Sequence, residues 1–181
     1  GDAELFGNVL RLTPAQGGQA GSAFWLSKVS LDNDRSFSVY FTFQISEPGG
    51  AGGGADGLVF VLQPNSNTAG SIGGGIGYEG IDNSLGIEFD TLQNAGDPNN
   101  SHIGINTNGN MVSLDTVDVG AIDVTWNLKD EAVYHAWIDY NGSTDTLEVR
   151  LNRNSDARPM VAALTHNIDL AGVFDEEVYV G

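Results

Sequence analysis

The segment Ile87-Glu88-Phe89-Asp90-Thr91-Leu92-Gln93-Asn94-Ala95-Gly96-Asp97-Pro98-Asn99-Asn100-Ser101-His102-Ile103-Gly104-Ile105 constrains this chain more than any other. Read with the period of two that a β-strand imposes, it puts Glu88 and Asp90 on one face and Ile87 and Phe89 on the other. After a loop a second strand starts, with His102 on one face and Ile103 and Ile105 opposite. Pairing the two strands lets Glu88, Asp90 and His102 share a face, and the intervening loop carries Asn94 and Asp97 past it. Carboxylates, an amide oxygen and an imidazole are thereby gathered in a small volume.

Carboxylates packed together raise one another's pKa unless a cation joins them. Oxygen ligands without cysteine favour calcium, magnesium or manganese. One imidazole added to such a set leans toward a transition metal such as manganese at one of two positions. Two divalent ions carry enough charge to balance the acids. The same pattern also suits a polar hairpin whose acids merely face water, so periodicity alone leaves both readings open.

Strand signals dominate elsewhere. Ser36–Ile45 alternates Phe37, Val39, Phe41, Phe43 and Ile45 against Ser38, Tyr40, Thr42 and Gln44. Gly57–Gln63, Leu85–Asp90, His102–Thr107, Val133–Tyr140, Thr146–Asn152 and Met160–Ile168 also read as strands between Gly, Asn, Asp or Pro turns. Asn108-Gly109 is a hairpin-type turn. No segment sustains a helical period, and Asp169–Phe174 is expected to form at most one short turn. The pattern predicts an all-β sandwich of antiparallel sheets. The glycine-rich run Gly49–Gly54 reads as flexible low-complexity sequence just before Asp56. Gly74-Gly75-Ile76-Gly77-Tyr78-Glu79 nearly copies one calcium-binding nonapeptide, but that architecture needs stacked repeats. Its glycines are better read as a loop allowing close approach to a ligand.

With 181 residues the chain is read as one domain large enough to bury a core. Asp+Glu 24 against Lys+Arg 7 gives a net charge of −17. That surface argues against nucleic acid and anionic membranes as partners, because both need basic patches. There is no cysteine, hence no disulfide, thiolate ligand or thiol nucleophile. No apolar run approaches the roughly 20 residues of a membrane span. The segment ending at Gly181 reads as stopping in mid-strand, so the native polypeptide is expected to continue.

Glu88-Phe89-Asp90, Asn94, Asp97-Pro98 and His102-Ile103-Gly104-Ile105 together resemble the metal-binding signature of the legume-type (L-type) lectins, in order and with family-like spacing. Leu10-Arg11-Leu12-Thr13-Pro14 with Gly21-Ser22-Ala23-Phe24-Trp25 is similar to the family's first strands. Ala55-Asp56-Gly57-Leu58-Val59-Phe60-Val61-Leu62-Gln63 is similar to its sugar-loop motif, and His135-Ala136-Trp137-Ile138-Asp139-Tyr140 to a late strand. The resemblance covers nearly the whole chain. It looks closest to bacterial members, such as those in large secreted adhesins, and it implies a concanavalin-like jelly-roll sandwich.

The resemblance implies one calcium ion held by Asp90, Asn94, Asp97 and the backbone carbonyl of Leu92. A second divalent ion, manganese or calcium, would be held by Glu88, Asp90, Asp97 and His102. It further implies that Asp56, preceded by a cis Ala55–Asp56 peptide, accepts hydrogen bonds from sugar hydroxyls. Asn94 would present its amide to the same sugar, and a backbone N–H near Gly74 or Gly75 would add a donor. The expected partner is a cell-surface oligosaccharide or polysaccharide, met outside the cell. Where the family often carries a sugar-stacking aromatic, this chain has Leu92, and Tyr78 is the nearby ring that could compensate. The early strand before Leu5 is missing or shortened.

Two other functions stay open at this point. A sandwich could keep its ions for stability alone and bind protein or nothing. A glycoside hydrolase on a similar fold would need two carboxyls flanking the bond, and related glucanases use a Glu-x-Asp-x-Glu strand. Here Leu92 stands where the second Glu would be, which argues against an enzyme. His135 and His166 read as ordinary strand residues, and no nucleophile–base arrangement stands out.

Overall fold

The structure, a computed structural model, describes residues 1–47, 51–174 and 177–181. Of the glycine-rich run, Gly49 and Gly50 lie outside the described residues. A separate hairpin joins β1 (Glu4–Phe6) to β2 (Val9–Arg11). The remaining strands are β3 (Phe37–Phe43), β4 (Gly57–Gln63), β5 (Leu85–Asp90), β6 (His102–Thr107), β7 (Asp115–Asp118), β8 (Tyr134–Asn141), β9 (Thr146–Arg153), β10 (Leu164–Asn167) and β11 (Tyr179–Val180). Among the described residues, two single-turn α-helices, α1 (Val119–Ile122) and α2 (Leu170–Val173), and a 3-10 turn at Ala51–Gly53 interrupt them. Asp118 and Asp169 cap the two α-helices by accepting the Gly120 and Gly172 N–H groups.

The strands form a five-stranded sheet in the order β11-β4-β5-β6-β7 and a four-stranded sheet in the order β10-β9-β8-β3. Every pairing is antiparallel. The two sheets pack face to face. Phe41 and Phe43 of one meet Phe89 of the other with ring centroids 6.0 and 4.8 Å apart. In β3 the period of two is plain: Phe37, Val39, Phe41 and Phe43 point inward, while Ser38, Tyr40 and Thr42 are exposed. Ile87, Phe89, Ile103 and Ile105 are fully buried in the same core. Removing a ring such as Phe89 would cost about 3–5 kcal/mol, and would loosen the strand that carries Glu88 and Asp90.

The all-β sandwich is as expected, with some local corrections. Gly21–Trp25 forms no strand; it runs beside the last strand, where the Trp25 N–H donates to the Val180 carbonyl at 2.7 Å. Met160–Ile168 contracts to β10, because Met160 and Val161 are 96% and 80% exposed and stand clear of the sheet. Asn108 and Gly109 do adopt the left-handed turn, with φ of 54° and 66°. A longer connection then leads to β7. No helix among the described residues is long and apolar enough to cross a membrane.

Candidate functional site

The β5–β6 register sets Asp90 directly opposite His102 and Glu88 opposite Gly104. The three polar side chains therefore share the outer face of the sheet, as the alternation requires. They do not face water. Glu88, Asp90 and His102 are 1%, 2% and 0% exposed, which removes the solvated-hairpin reading.

Each group is held by neighbours. Glu88 accepts from the Asn106 amide and the Ser113 hydroxyl, both at 2.6 Å. Gly104 is needed beneath it, since a Cβ there would run into the Glu88 carboxylate and come within 2.6 Å of Ser113 Oγ. The His102 Nδ1 lies 3.1 Å from the Asn99 carbonyl, which can only accept, so Nδ1 carries the proton. Nε2 then presents its lone pair 3.4 Å from Glu88 Oε1, and no hydrogen-bond partner satisfies it. Two acceptors facing each other in a buried site need a proton or a metal ion between them.

The electrostatics agree. Burial, with the Asp97 and Glu88 charges nearby, pushes the Asp90 carboxyl up to about 7, against the Leu92 N–H and His102, which pull it down. Burial pulls His102 down, but the Glu88 and Asp90 carboxylates and the Asn99 carbonyl outweigh it, and its pKa is raised. Both groups thus hold protons more tightly than usual, and a divalent cation would compete for the same place.

The loop half of the expected site is less closed. Asp90 Oδ1 accepts the Leu92 N–H at 2.7 Å, and Asp97 Oδ2 accepts the Asn94 N–H at 2.6 Å. The Asn94 amide nitrogen lies 3.4 Å from the Leu92 carbonyl. Among the described residues, no three acidic or histidine side chains converge closely enough to hold an ion as placed. The acids instead take N–H and O–H donors. The donor chemistry nevertheless fits a hard cation beside one imidazole, and the unpartnered His102 Nε2 is its most direct mark.

The sugar-loop residues meet the same strand ends. The peptide between Ala55 and Asp56 is cis. The Asp56 carbonyl accepts the Thr91 N–H at 3.0 Å, and Gly57 pairs with Asp90. A Cβ on Gly74 would stand 3.6 Å from Asn94 Oδ1, so Gly74 lines the space beside that amide. Gly75 packs instead against the Glu79 side chain and anchors a turn through its carbonyl, which accepts the Tyr78 N–H at 2.8 Å. Leu92 packs against Gly52 of the loop before Asp56. Tyr78 does not compensate for a missing ring: it is fully buried, and its hydroxyl is tied to Ser84 at 2.9 Å.

Sequence reasoning missed three residues here. Asn106 was legible, since it lies two alternations beyond His102 on the same face. Ser113, in an irregular loop, gave no signal. Neither did Lys129, whose ammonium donates to the carbonyls of Thr91, Gly52 and Gly54 at 2.8, 3.1 and 3.4 Å.

The two-sheet antiparallel sandwich thus carries the acid–histidine hairpin and the Asp56 loop side by side. The legume lectin domain family matches residues 1–181, and the chain belongs to it. It is 32% identical over 199 aligned positions to the L-type lectin-domain containing receptor kinase VIII.1 of Arabidopsis thaliana, covering 100% of this chain and 27% of that protein. It is 33% identical over 153 positions to a seed lectin of Styphnolobium japonicum, covering 81% of this chain and 49% of that lectin. The chain thus spans about a quarter of the receptor kinase and about half of the seed lectin. Among solved structures, winged bean acidic lectin complexed with methyl-α-D-galactose superposes with a TM-score of 0.75 at 28% identity, over 99% of this chain and 79% of that one. The relatives named here are plant proteins.

Proposed function

We propose that this carbohydrate-binding domain depends on calcium, and that Glu88, Asp90, Leu92, Asn94, Asp97 and His102 hold one calcium ion and a second divalent ion. The observation that carries the reading is the buried His102 Nε2, unpartnered and aimed at the Glu88 carboxylate. Bound ions would supply positive charge that neutralises the acids and fixes the Leu92–Asp97 loop. In this reading Asp56 accepts two sugar hydroxyls, and the Asn94 amide and a Gly74 or Gly75 N–H donate. Rigid, paired donors and acceptors are what vicinal hydroxyls require. The role is recognition of extracellular glycans, as in surface adhesion, with no bond broken.

A second reading, in which the ions only stabilise the sandwich, is favoured by Leu92 and Tyr78. Leu92 packs under the Gly52 loop and Tyr78 is buried, so neither offers a ring to a sugar. A glycan array probed in calcium and again after chelation separates the two. Binding to particular sugars that disappears with the chelator supports the lectin reading. An array silent in calcium, with calcium still raising the melting temperature, supports the second.

A further inference from the structure

We infer that Lys129 is a positioning residue for the proposed sugar site: its ammonium fixes the glycine-rich loop that carries Asp56 onto the strand end that carries Asp90. The inference rests on the lectin reading above and concerns a residue outside the metal and sugar contacts assigned there.

Among the described residues the loop before Asp56 holds one 3-10 turn, Ala51–Gly53, with a left-handed glycine inside it. Gly52, Gly53 and Gly54 take φ of 59°, 72° and 119°, which glycine enters freely, but holding three glycines in one conformation costs more chain entropy than holding other residues. Asp56 follows after Ala55 and can present its carboxylate to a sugar only if this loop is held. Two contacts from Thr91 help: its N–H reaches the Asp56 carbonyl at 3.0 Å, and its hydroxyl reaches the Gly54 carbonyl at a long 3.4 Å.

Lys129 does more. An ammonium has three donor hydrogens, and here three carbonyls surround it. Thr91 lies on the metal-loop side, and Gly52 and Gly54 lie on the sugar-loop side, at 2.8, 3.1 and 3.4 Å. Hydrogen bonds from a charged donor are about twice as strong as neutral ones, and a compact ammonium suits several carbonyls at once better than a planar fork does. Lys129 is itself anchored. Its N–H is held by Asn127 Oδ1 at 3.0 Å. The neighbouring Leu128 is fully buried, with its N–H held by the Ser101 hydroxyl at 3.1 Å. Ser101 precedes His102. A continuous set of contacts therefore runs from the metal-side strand through Leu128 and Lys129 to the loop carrying Asp56.

The chain has no cysteine, which permits a direct test. Lys129→Met and Lys129→Cys are prepared beside the unaltered protein. The Lys129→Cys protein is alkylated either with 2-bromoethylamine or with iodoacetamide. In each case the thiolate displaces the halide and forms a C–S bond. The first rebuilds an ammonium of nearly lysine length, the second a neutral amide. The readouts are binding to a printed oligosaccharide panel in calcium, calcium affinity by calorimetry, and amide hydrogen exchange over Gly52–Gly57.

Lys129→Met and unmodified Lys129→Cys should bind the panel about 10- to 100-fold more weakly, with calcium affinity changed by less than about threefold. Exchange should rise over Gly52–Gly57 and not over β5 and β6. Aminoethylation should restore binding and protection, and carbamidomethylation should not. Wild-type binding by Lys129→Met, or equal recovery with either reagent, overturns the inference. A panel silent for the unaltered protein overturns the lectin reading and the sugar-positioning role with it, while the exchange comparison still decides whether the ammonium holds the loop.

Discussion

His102 turns its Nε2 toward Glu88 Oε1 at 3.4 Å while its Nδ1 is committed to the Asn99 carbonyl at 3.1 Å. The imidazole is thus locked in the tautomer of a metal ligand, facing a carboxylate that Asn106 and Ser113 hold from behind. When protonated, Nε2 has the Glu88 carboxylate as its partner within the protein; a bound cation would bridge the two instead. The pair is completed by a proton or by a cation.

Asp97→Ala should abolish calcium binding and sugar binding together, because Asp97 also fixes the Asn94 N–H at 2.6 Å. Asp56→Ala should abolish sugar binding and leave calcium affinity within about twofold, a change of less than ~0.5 kcal/mol. Calorimetric titration of both variants checks the pair. Full sugar binding by Asp97→Ala would break the link between the two loops, and loss of calcium binding in Asp56→Ala would show that the sites are not separable.

Calcium should stabilise the fold. At ~100 times its dissociation constant one site contributes about 2.7 kcal/mol, or a rise on the order of 5–10 °C in melting temperature for a domain of this size. Thermal melts with calcium and with chelator test this. Superimposable melts would remove the ion's structural role.

The metal-free protein should be more stable at pH 5 than at pH 8. Asp90 titrates at about 7 in the fold against 3.8 for an ordinary aspartate, so its contribution is complete below about pH 4 and is lost as pH rises toward 7. His102, raised above 6.5, acts in the same direction through the neutral range. Saturating calcium displaces those protons and should flatten the trend. Urea midpoints at the two pH values decide, and a metal-free protein more stable at pH 8 would contradict the assignment.

Gly104→Ala should destabilise the protein by about 1–3 kcal/mol and weaken calcium binding, since the new methyl displaces the Glu88 carboxylate and the Ser113 hydroxyl. Chemical denaturation with parallel calcium titration checks it. A variant as stable as wild type would mean that the carboxylate has another resting place.

The strands were legible where turn residues bound an apolar or alternating run. β4 is a continuous apolar run from Gly57 that stops before Pro64, and β6 lies between Asn99-Asn100 and Asn108-Gly109. The shared face of Glu88, Asp90 and His102 followed from the period of two. Met160–Ala163 misled because apolar composition suggested a strand. Instead Asn152 Nδ2 binds the Ala157 carbonyl at 2.7 Å and Arg158 pairs with Asp139 at 2.7 Å, tying that connection down ahead of β10. Tyr78 misled because an aromatic near a site can face either way, and here it fills the space behind Gly86 and Ser84. Lys129 was invisible because its partners are main-chain carbonyls, which any residue supplies.

The central claim is that one set of buried acids and one histidine ties ion binding to sugar binding. The direct measurement is a calcium titration of chelated protein over immobilised glycans from the array, with sugar capture and bound calcium followed together. The account predicts that capture is absent without calcium, rises along the calcium-binding curve, and is lost again on chelation. Glycan capture at full strength by the chelated protein would contradict it.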